Sequence, residues 1–355
     1  MPVEFYIHTE NLEIQNERRA ICYVARQLHQ RYQESSKHYL LVANINPNND
    51  EEMKKMKKIS QLEGILIGQH SIAILEFKNY FDPIHAKSLN SYWYAGYGEK
   101  KQLVHGGARK NPFQQGKHAR QIWTDYMKEK SSNKFDIYRS EIIENALEHV
   151  SYYLLFHPYL HKNHKLPNLG GASNWFYIRG VRAILELTYA VKNSDVYLTP
   201  EDIQRLATDV LHAKPWDEMG KLLNKKMGTL CIHEPGKPII HYPLYCFQEF
   251  ALGRSSTIEG HVVSEQYDLV SGTHAQIVTD YNKVYVQDLN STNGTYVNKN
   301  QIGDKEIEIS PSDRIYLGGR SSSGIELWFN KIPIRSTKST HHNTNKTIKK
   351  NFGFK

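Results

Sequence analysis

Two glutamates and a lysine on neighbouring apolar segments form a candidate chemical centre in this sequence. Glu76 and Lys78 are two residues apart in SIAILEFKN (71–79), and Glu63 lies in the preceding segment SQLEGILIG (60–68). Residues i and i+2 of a strand face the same side, so Glu76 and Lys78 would share one face. Burying both is costly unless they pair with each other or serve a metal ion. Two antiparallel strands would bring Glu63 and Glu76 to one divalent cation, Mg²⁺ or Mn²⁺.

A metal ion held by these two carboxylates could promote hydrolysis of a phosphate ester. It would lower the pKa of a bound water and neutralise the charge of a scissile phosphate. Lys78 would orient that water or stabilise the charge that develops on phosphorus. The alternative is a structural ion pair, because an exposed strand often carries Glu-x-Lys as a cross-strand salt bridge.

A second group of polar residues, far along the chain, suits the binding of phosphate. The segment DLNSTNGTYVN (288–298) contains Asn293-Gly294, a strong hairpin signal because both residues tolerate positive φ. One arginine with hydroxyls and an amide at the loop end of a β-sandwich would bind a phosphate on a peptide. The alternative is that this segment is only a good turn. The polar residues in question are Arg254, Ser271, His274, Ser291, Thr292 and Asn293.

The elements that would position these residues fall into two regions. Helical and strand patterns alternate up to about residue 225, and short strands with turns follow from about residue 228. A domain boundary is expected at 225–236, with Gly236 opening the β domain. The expected helices are residues 11–34, 112–129, 141–150, 181–191 and one that has Thr199 as its N-cap and Pro200 as its first residue. The expected strands are residues 38–45, 60–68, 71–79, 151–157 and 174–180, with a hairpin at Gly68-Gln69-His70.

The first region resembles the nuclease-related domain (NERD), a branch of the PD-(D/E)XK nuclease superfamily. The resemblance rests on the element order, an acidic residue in the first helix, acidic and Glu-x-Lys positions on successive strands, and an N-P-x-x-Q motif. These residues are Glu17, Glu63, Glu76, Lys78, Asn111, Pro112 and Gln115. The resemblance implies an α/β, restriction-endonuclease-like core with a mixed sheet flanked by helices over residues 10–225.

The same resemblance implies roles for individual residues. Glu63 and Glu76 would be metal ligands and Lys78 the catalytic lysine. Glu17 would hold a metal-bound water, and Gln115 would help to place the substrate phosphate or water. Family members are inferred to cut DNA, so the expected activity is that of a Mg²⁺-dependent deoxyribonuclease. Glu63 replaces the aspartate that is usual in the family and reaches one methylene further.

The second region, residues 230–330, resembles the forkhead-associated (FHA) domain, an all-β sandwich that binds phosphothreonine peptides. Four motifs occur in the family's order: Gly253-Arg254, Ser271-x-x-His274, the segment 288–298, and Ser312–Gly318. By position, Arg254 and Ser271 would bind the phosphate, and Thr292 and Asn293 the phosphate and the peptide backbone. His274 would support the loops internally.

One position departs from the FHA pattern. Gly272 stands where many members have Arg or Asn. One side-chain contact to the phosphate is therefore expected to be missing.

The net charge of +8 is unevenly distributed. Residues 331–355 carry seven Lys and Arg and no Asp or Glu, and without those seven charges the rest of the chain has a net charge of +1. This segment is expected to be a basic disordered tail because its centre is almost without apolar residues. A second basic zone, residues 100–134, has nine Lys and Arg against two acidic residues. It favours a polyanion such as DNA as a partner.

An aromatic run precedes the second basic zone. Tyr92, Trp93, Tyr94 and Tyr97 could stack on unpaired bases, or they could pack over the sheet.

Composition narrows the remaining possibilities. The three cysteines are scattered, which argues against a zinc site or disulfide framework and for a reducing compartment. The apolar runs are too short to cross a bilayer, so a cytoplasmic protein without a membrane partner is expected. No glycine-rich phosphate-binding motif occurs, so no nucleotide cofactor is expected.

These patterns predict a metal-dependent nuclease recruited or regulated through a phosphothreonine-containing protein. The alternative is a non-enzymatic signalling adaptor, in which the nuclease-like fold only binds nucleic acid or protein. A third possibility is that the β-sandwich mediates self-association.

Overall fold

The structure is a computed structural model that describes most of the chain. The described residues are 3–9, 15–46, 61–80, 82–131, 149–157, 160–161, 163–190, 197–256, 260–319 and 324–331, without the side chains of 15–17, 128–131 and 189–190. The side chain of Glu17, residues 141–148 of the expected helix 141–150 and the tail after Lys331 therefore lie outside the described part.

The first region is built on a seven-stranded mixed sheet. Its strand order is β10-β1-β2-β3-β4-β8-β9, and β2, β3 and β4 are antiparallel whereas β4, β8 and β9 are parallel. A small antiparallel sheet, β5-β6-β7, lies between β4 and the next long helix in sequence. The strands are β1 (Val3–Ile7), β2 (Tyr39–Ile45), β3 (Leu62–Gly68), β4 (Ser71–Lys78), β5 (Ile84–Ala86), β6 (Trp93–Ala95), β7 (Gln102–Leu103), β8 (Ser151–Phe156), β9 (Phe176–Gly180) and β10 (Lys214–Pro215).

In the described part of the first region, five α-helices accompany this sheet. They are α1 (Gln15–Tyr32), α2 (Pro112–Ser131), α3 (Ile184–Ala190), α4 (Pro200–Arg205) and α5 (Asp217–Asn224). Short 3₁₀ turns cover Gly98–Lys100, Gly170–Ala172 and Val181–Ala183, and a π turn covers Leu206–Val210. The expected cap of α4 is confirmed: Thr199 and Asp202 form a reciprocal capping box with Pro200 at the first turn.

Alternation along the buried strands separates two apolar cores. On β2, Leu41 and Ala43 pack in the core that contains α1, whereas Leu40 and Val42 pack in the core that contains α2. Period-two alternation in a strand buried on both faces produces this division. The expected hairpin is confirmed, since β3 and β4 pair antiparallel with Gly68 opposite Ser71.

The second region is a sandwich of two sheets. Their strand orders are β12-β11-β21-β20-β17-β18 and β14-β13-β15-β16-β19. The strands are β11 (Lys226–His233), β12 (Ile240–Tyr245), β13 (Glu249–Gly253), β14 (Gly260–Val262), β15 (Ala275–Thr279), β16 (Val284–Asp288), β17 (Thr295–Val297), β18 (Asn300–Gln301), β19 (Ile307–Ile309), β20 (Ile315–Leu317) and β21 (Ile325–Lys331).

The start of the sandwich differs from the expectation that Gly236 opens it. Strand β11 begins at Lys226 and pairs with the last strand, β21. Gly236 has φ of +80° and lies between the antiparallel strands β11 and β12. The glycine therefore belongs to a hairpin turn, where positive φ is required, and not to an interdomain linker.

The two regions share a continuous apolar core. Buried residues of α1, including Ile21 and Leu28, belong to the same cluster as Ile277 and Val286 of the sandwich. Polar contacts join the regions around this core. Arg19 forms an ion pair with Glu306 at 2.8 Å.

A second ion pair between the regions gives a testable effect on stability. Arg182 contacts Glu249 at 2.5 Å and donates to Gln276 Oε1 at 2.6 Å. Replacing Arg182 by methionine leaves a buried carboxylate without its cation, and we expect the free energy of unfolding to fall by about 1–3 kcal/mol at neutral pH.

The loss should depend on pH. Burial raises the pKa of Glu249 above 4.5, and Arg182 opposes that rise. Without Arg182 the pKa rises further, and a carboxyl with a raised pKa contributes stability at low pH that is lost as pH increases through that pKa. Urea unfolding of both proteins should therefore show a smaller difference below about pH 4.5 than at neutral pH. A difference that stays constant with pH would contradict this account.

None of the described helices is both long and apolar enough to cross a membrane.

Candidate functional site

The carboxylate of Glu76 is the centre of a polar cluster at the end of β4. Its side chain is only 4% exposed. Its Oε1 accepts hydrogen bonds from Lys78 Nζ at 2.6 Å and from Gln115 Nε2 at 2.6 Å. Alternation on β4 places Glu76 and Lys78 on one face, as expected, and the first turn of α2 brings Gln115 to the same oxygen.

Glu63 approaches the same place from the neighbouring strand. Its Oε2 accepts a hydrogen bond from the backbone N–H of Phe77, the residue between Glu76 and Lys78. The antiparallel pairing of β3 with β4 brings the two carboxylates together, as the hairpin pattern predicts. Four of the five expected residues therefore converge, and the side chain of Glu17 lies outside the described part.

The charges in this cluster influence one another. Burial alone would lower the pKa of the Lys78 ammonium, but the carboxylates of Glu76 and Glu63 raise it above its ordinary value. Lys78 therefore remains a cation and cannot act as a base near neutral pH. Burial, followed by the charges of Glu76 and Glu63, raises the pKa of the Tyr152 hydroxyl well above 10, so Tyr152 stays neutral.

Two residues of this cluster have roles that the sequence analysis did not assign. Tyr152 lies on β8, next to Tyr153. Because Tyr153 pairs with Leu75 of β4, Tyr152 is brought to the same cluster. Asn111 caps α2, since its Oδ1 accepts from the N–H of Gln114 at 2.8 Å. The N-P-x-x-Q motif is thus a helix start that aims Gln115 at Glu76. A cap signal was present in the sequence, whereas Tyr152 depends on long-range strand pairing that no local pattern reveals.

The donor set fits a hard divalent cation. Glu63 and Glu76 supply two carboxylates, and Mg²⁺ needs only one or two together with water and a substrate phosphate. Gln115 Oε1 is buried and has no hydrogen-bond partner among the described residues, so a carbonyl oxygen remains available to a cation or its water. Within those residues no group of three or more His, Cys, Asp or Glu side chains has the arrangement of a metal site.

A second polar site lies at one end of the sandwich, where three loops meet. Ser271 Oγ accepts a hydrogen bond from the backbone N–H of Thr292 at 3.0 Å and donates to Thr292 Oγ1 at 3.4 Å. The side chain of Arg254 is half-buried, and its Nε donates to the carbonyl of Val270. The backbone N–H of Arg254 donates to the carbonyl of Ser271 at 3.1 Å. Arg254, Ser271 and Thr292 therefore lie together, as the resemblance to the FHA domain implies.

His274 holds these loops from inside. It is fully buried, its Nδ1 accepts from the N–H of Ser271 at 3.0 Å, and its Nε2 lies 3.1 Å from the carbonyl of Gly294. An acceptor Nδ1 leaves the proton on Nε2, which donates to Gly294. Burial lowers the pKa of this imidazole, so it is neutral at pH 7. The internal position agrees with the expectation for His274.

The Asn-Gly turn is fixed by a buried carboxylate that the sequence analysis did not single out. Asp288 accepts from the N–H of Ser291 at 2.9 Å, from Ser291 Oγ at 2.6 Å and from Thr295 Oγ1 at 2.7 Å. The Asp-x-x-Ser spacing is a signal for such a turn. Gly294 has φ of +80°, which an L side chain rarely adopts. Asn293 Nδ2 donates to the carbonyl of Leu269 at 3.0 Å and ties the turn to the adjacent loop.

The two glycines of the neighbouring loops differ in their surroundings. A Cβ on Gly253 would lie 2.1 Å from the carbonyl oxygen of Gly272, so this position requires glycine. A Cβ on Gly272 would meet only Ser255 Cβ at 3.8 Å. The space for a longer side chain therefore exists at Gly272, where the chain carries none.

Comparison with known proteins gave matches to FHA domains. The FHA domain family matches residues 250–318. Among solved structures, an FHA domain from Chlamydia trachomatis is 20% identical, with a TM-score of 0.26 over 30% of this chain and 98% of that one. An FHA domain studied for phosphothreonine-dependent interactions is 24% identical, with a TM-score of 0.25 over 30% and 99%. Full-length yeast Pml1p is 25% identical, with a TM-score of 0.25 over 31% and 84%.

No curated protein sequence matches the chain. The four motifs, the β-sandwich and the family match agree on the second region. Residues 250–318 form an FHA domain, which follows an α/β region in the chain.

Proposed function

We propose that the FHA domain binds a phosphothreonine-containing partner protein at the three-loop site. The observation that carries this proposal is the convergence of Arg254, Ser271 and Thr292 at one end of the sandwich. A phosphate dianion requires several donors and a cation, and charge-assisted hydrogen bonds from Arg are among the strongest. We propose that Asn293, whose Nδ2 donates to the carbonyl of Leu269, binds the peptide backbone.

The loops support this role because they are already held in position. His274 and Asp288 hydrogen-bond to the loops, so these loops are ordered before a peptide binds. Binding to loops ordered in advance loses less conformational entropy. Because Gly272 adds no side chain to the phosphate, we propose moderate affinity.

The position of this site can be tested by NMR. Adding a degenerate pool of phosphothreonine peptides to the isotopically labelled full chain should shift the amide signals of Arg254, Ser271, Thr292 and Asn293. The amide of Tyr281, which follows β15 at the other end of that strand, should not move. Shifts confined to the region of Tyr281 would contradict the proposed site.

We further propose that the α/β region hydrolyses phosphodiester bonds of DNA with the help of Mg²⁺ or Mn²⁺. The observation favouring this function is the shared contact of Lys78 and Gln115 with the buried Glu76, beside Glu63. A structural ion pair would account for Glu76 and Lys78, but it does not explain a third polar residue from α2 or a second carboxylate.

Each residue has a part in this proposed chemistry. Glu63 and Glu76 would hold the metal ion, which when bound lowers the pKa of a water and offsets the charge of the phosphate. Lys78, which is kept protonated, stabilises the additional charge on the phosphate oxygens as water forms a bond to phosphorus and the bond to the leaving oxygen breaks. Gln115 fixes the carboxylate of Glu76, and its own buried carbonyl oxygen has no hydrogen-bond partner among the described residues.

The alternative is a non-enzymatic adaptor, and a cleavage assay separates the two functions. The purified full chain is incubated with plasmid and single-stranded DNA in Mg²⁺, in Mn²⁺ and in a chelator. Metal-dependent cleavage that is lost in Glu76→Ala supports hydrolysis. Absence of cleavage by folded protein under every condition supports the adaptor.

A further inference from the structure

An aromatic face lies on the small sheet β5-β6-β7, which hydrogen bonds connect to the elements of the proposed cleavage centre. Tyr94 pairs with His85 on one side and Leu103 on the other, and directly paired residues share a face. Tyr92 lies two residues before Tyr94 and is on the same side, whereas Trp93 between them is completely buried. Here "the aromatic face" means Tyr92, Tyr94 and Tyr97.

Two rings of this face are unusually exposed. Tyr92 is 50% and Tyr97 is 57% exposed. The ring of Tyr97 lies against His85 with 4.1 Å between centroids, which places it on the same side as Tyr94. The sequence allowed the aromatic run either to pack over the sheet or to stack on bases. Trp93 packs over the sheet, whereas Tyr92 and Tyr97 are exposed and available for stacking.

Cations accompany the rings. Lys110 Nζ lies 4.7 Å from the ring centroid of Tyr92, and Lys101 Nζ lies 4.8 Å from that of Tyr94. Residues 82–110 contain five Lys and Arg against two acidic residues. Aromatic rings interleaved with cations are the combination that binds unpaired nucleic acid, because rings stack on bases and cations attract the backbone.

The aromatic face is fixed relative to Glu76. Asn111 Nδ2 donates to the carbonyls of Ser91 at 2.5 Å and Leu89 at 2.8 Å, directly before Tyr92. The same Asn111 caps the helix whose first turn carries Gln115 to Glu76.

A second hydrogen bond connects the small sheet to the end of β4, the strand that carries Lys78. The hydroxyl of Tyr80, two residues after Lys78, donates to the carbonyl of Leu103 at 2.9 Å. A nucleic-acid strand bound on this face would therefore be held on a sheet that is anchored to both sides of the cleavage centre.

We propose that the substrate of this centre is a single strand of DNA with unpaired bases. Tyr92 and Tyr97 stack on its bases, and Lys101 and Lys110 contact its phosphates. In a duplex each base already stacks between its neighbours, so the rings would gain no partner. This assignment rests on the proposed hydrolytic function, whose substrate it specifies.

The test measures binding separately from cleavage. A fluorescent oligonucleotide containing 2-aminopurine is titrated with the full chain in a chelator, as a single strand and as a duplex of the same sequence. We expect tighter binding of the single strand, with a change in 2-aminopurine fluorescence on stacking. The double variant Tyr92→Ala/Tyr97→Ala should bind the single strand about 5- to 100-fold more weakly.

A matched control isolates the rings. Tyr92→Phe/Tyr97→Phe keeps both rings and removes both hydroxyls, so it should bind within about twofold of the natural protein. Unchanged binding by the alanine variant, or a preference for duplex, would overturn the inference. Tighter binding of RNA than of DNA would overturn the assignment of DNA.

Failure of the inference can be distinguished from failure of the hydrolytic function. Ring-dependent binding of single strands without cleavage in Mg²⁺ or Mn²⁺ would support the aromatic face as a DNA-binding surface and refute hydrolysis. Metal-dependent cleavage with no dependence on the rings would support hydrolysis and refute the aromatic face.

Discussion

Replacing Lys78 by methionine should reduce the kcat of metal-dependent DNA cleavage by about 100- to 1000-fold. The Lys78 ammonium donates a hydrogen bond to Glu76 at 2.6 Å, and two carboxylates keep it protonated. It is therefore positioned before the reaction to stabilise charge on the phosphate. A fixed charge of this kind acts mainly in the transition state, so KM should change much less than kcat. The measurement is a steady-state cleavage assay at saturating metal.

A second lysine provides the control for this prediction. Lys283 is exposed and pairs with Glu308 on the sandwich, at 2.7 Å, and Lys283→Met should leave cleavage unchanged. Thermal unfolding of both variants establishes that they remain folded. Full activity of folded Lys78→Met protein, with cleavage still dependent on metal, would remove Lys78 from the mechanism.

Replacing Arg254 by alanine should weaken binding of phosphothreonine peptides by about 10- to 150-fold, because a hydrogen bond to a charged group contributes about 1.5–3 kcal/mol. Arg254 is the one arginine that the motifs place among the three loops, and its Nε is anchored to Val270. Anchoring reduces the side-chain entropy lost when the guanidinium binds phosphate. Fluorescence anisotropy with a labelled phosphothreonine peptide pool measures the change.

Two further variants define what Arg254 contributes. Arg254→Lys keeps the charge but loses the planar guanidinium, so intermediate affinity is expected. Arg314→Ala removes another arginine of the sandwich, one that contacts Glu326 at 3.3 Å, and should bind as the natural protein does. Equal weakening by Arg254→Ala and Arg314→Ala would mean that only the general positive charge of the domain matters.

The sequence predicts the parts of the α/β site that depend on local periodicity. Alternation on β4 places Glu76 with Lys78, and the turn after Gly68 brings Glu63 to the same edge. Tyr152 could not be found in this way, because its position depends on the parallel pairing of β8 with β4 across a long stretch of chain. Local patterns carry no information about such pairing.

The FHA loops were more predictable because their structure is local. The positive φ at Gly294 follows from the Asn-Gly pair, and the internal position of His274 agrees with what the FHA resemblance implies. The turn does not form the expected hairpin, because the strands on either side of it, β16 and β17, belong to different sheets. The start of the sandwich was less predictable. Gly236 is a strong turn signal, but whether a turn separates two domains or two strands of one sheet depends on the partner of β11, which is the distant β21.

The central claim is that the FHA domain recognises a phosphorylated threonine, and one calorimetric comparison tests it most directly. A degenerate peptide pool carrying phosphothreonine is titrated into the full chain, followed by the same pool after phosphatase treatment. The convergence of Arg254, Ser271 and Thr292 predicts saturable binding of the first pool and none of the second. Equal binding of both pools, or binding of neither by folded protein, would contradict the claim.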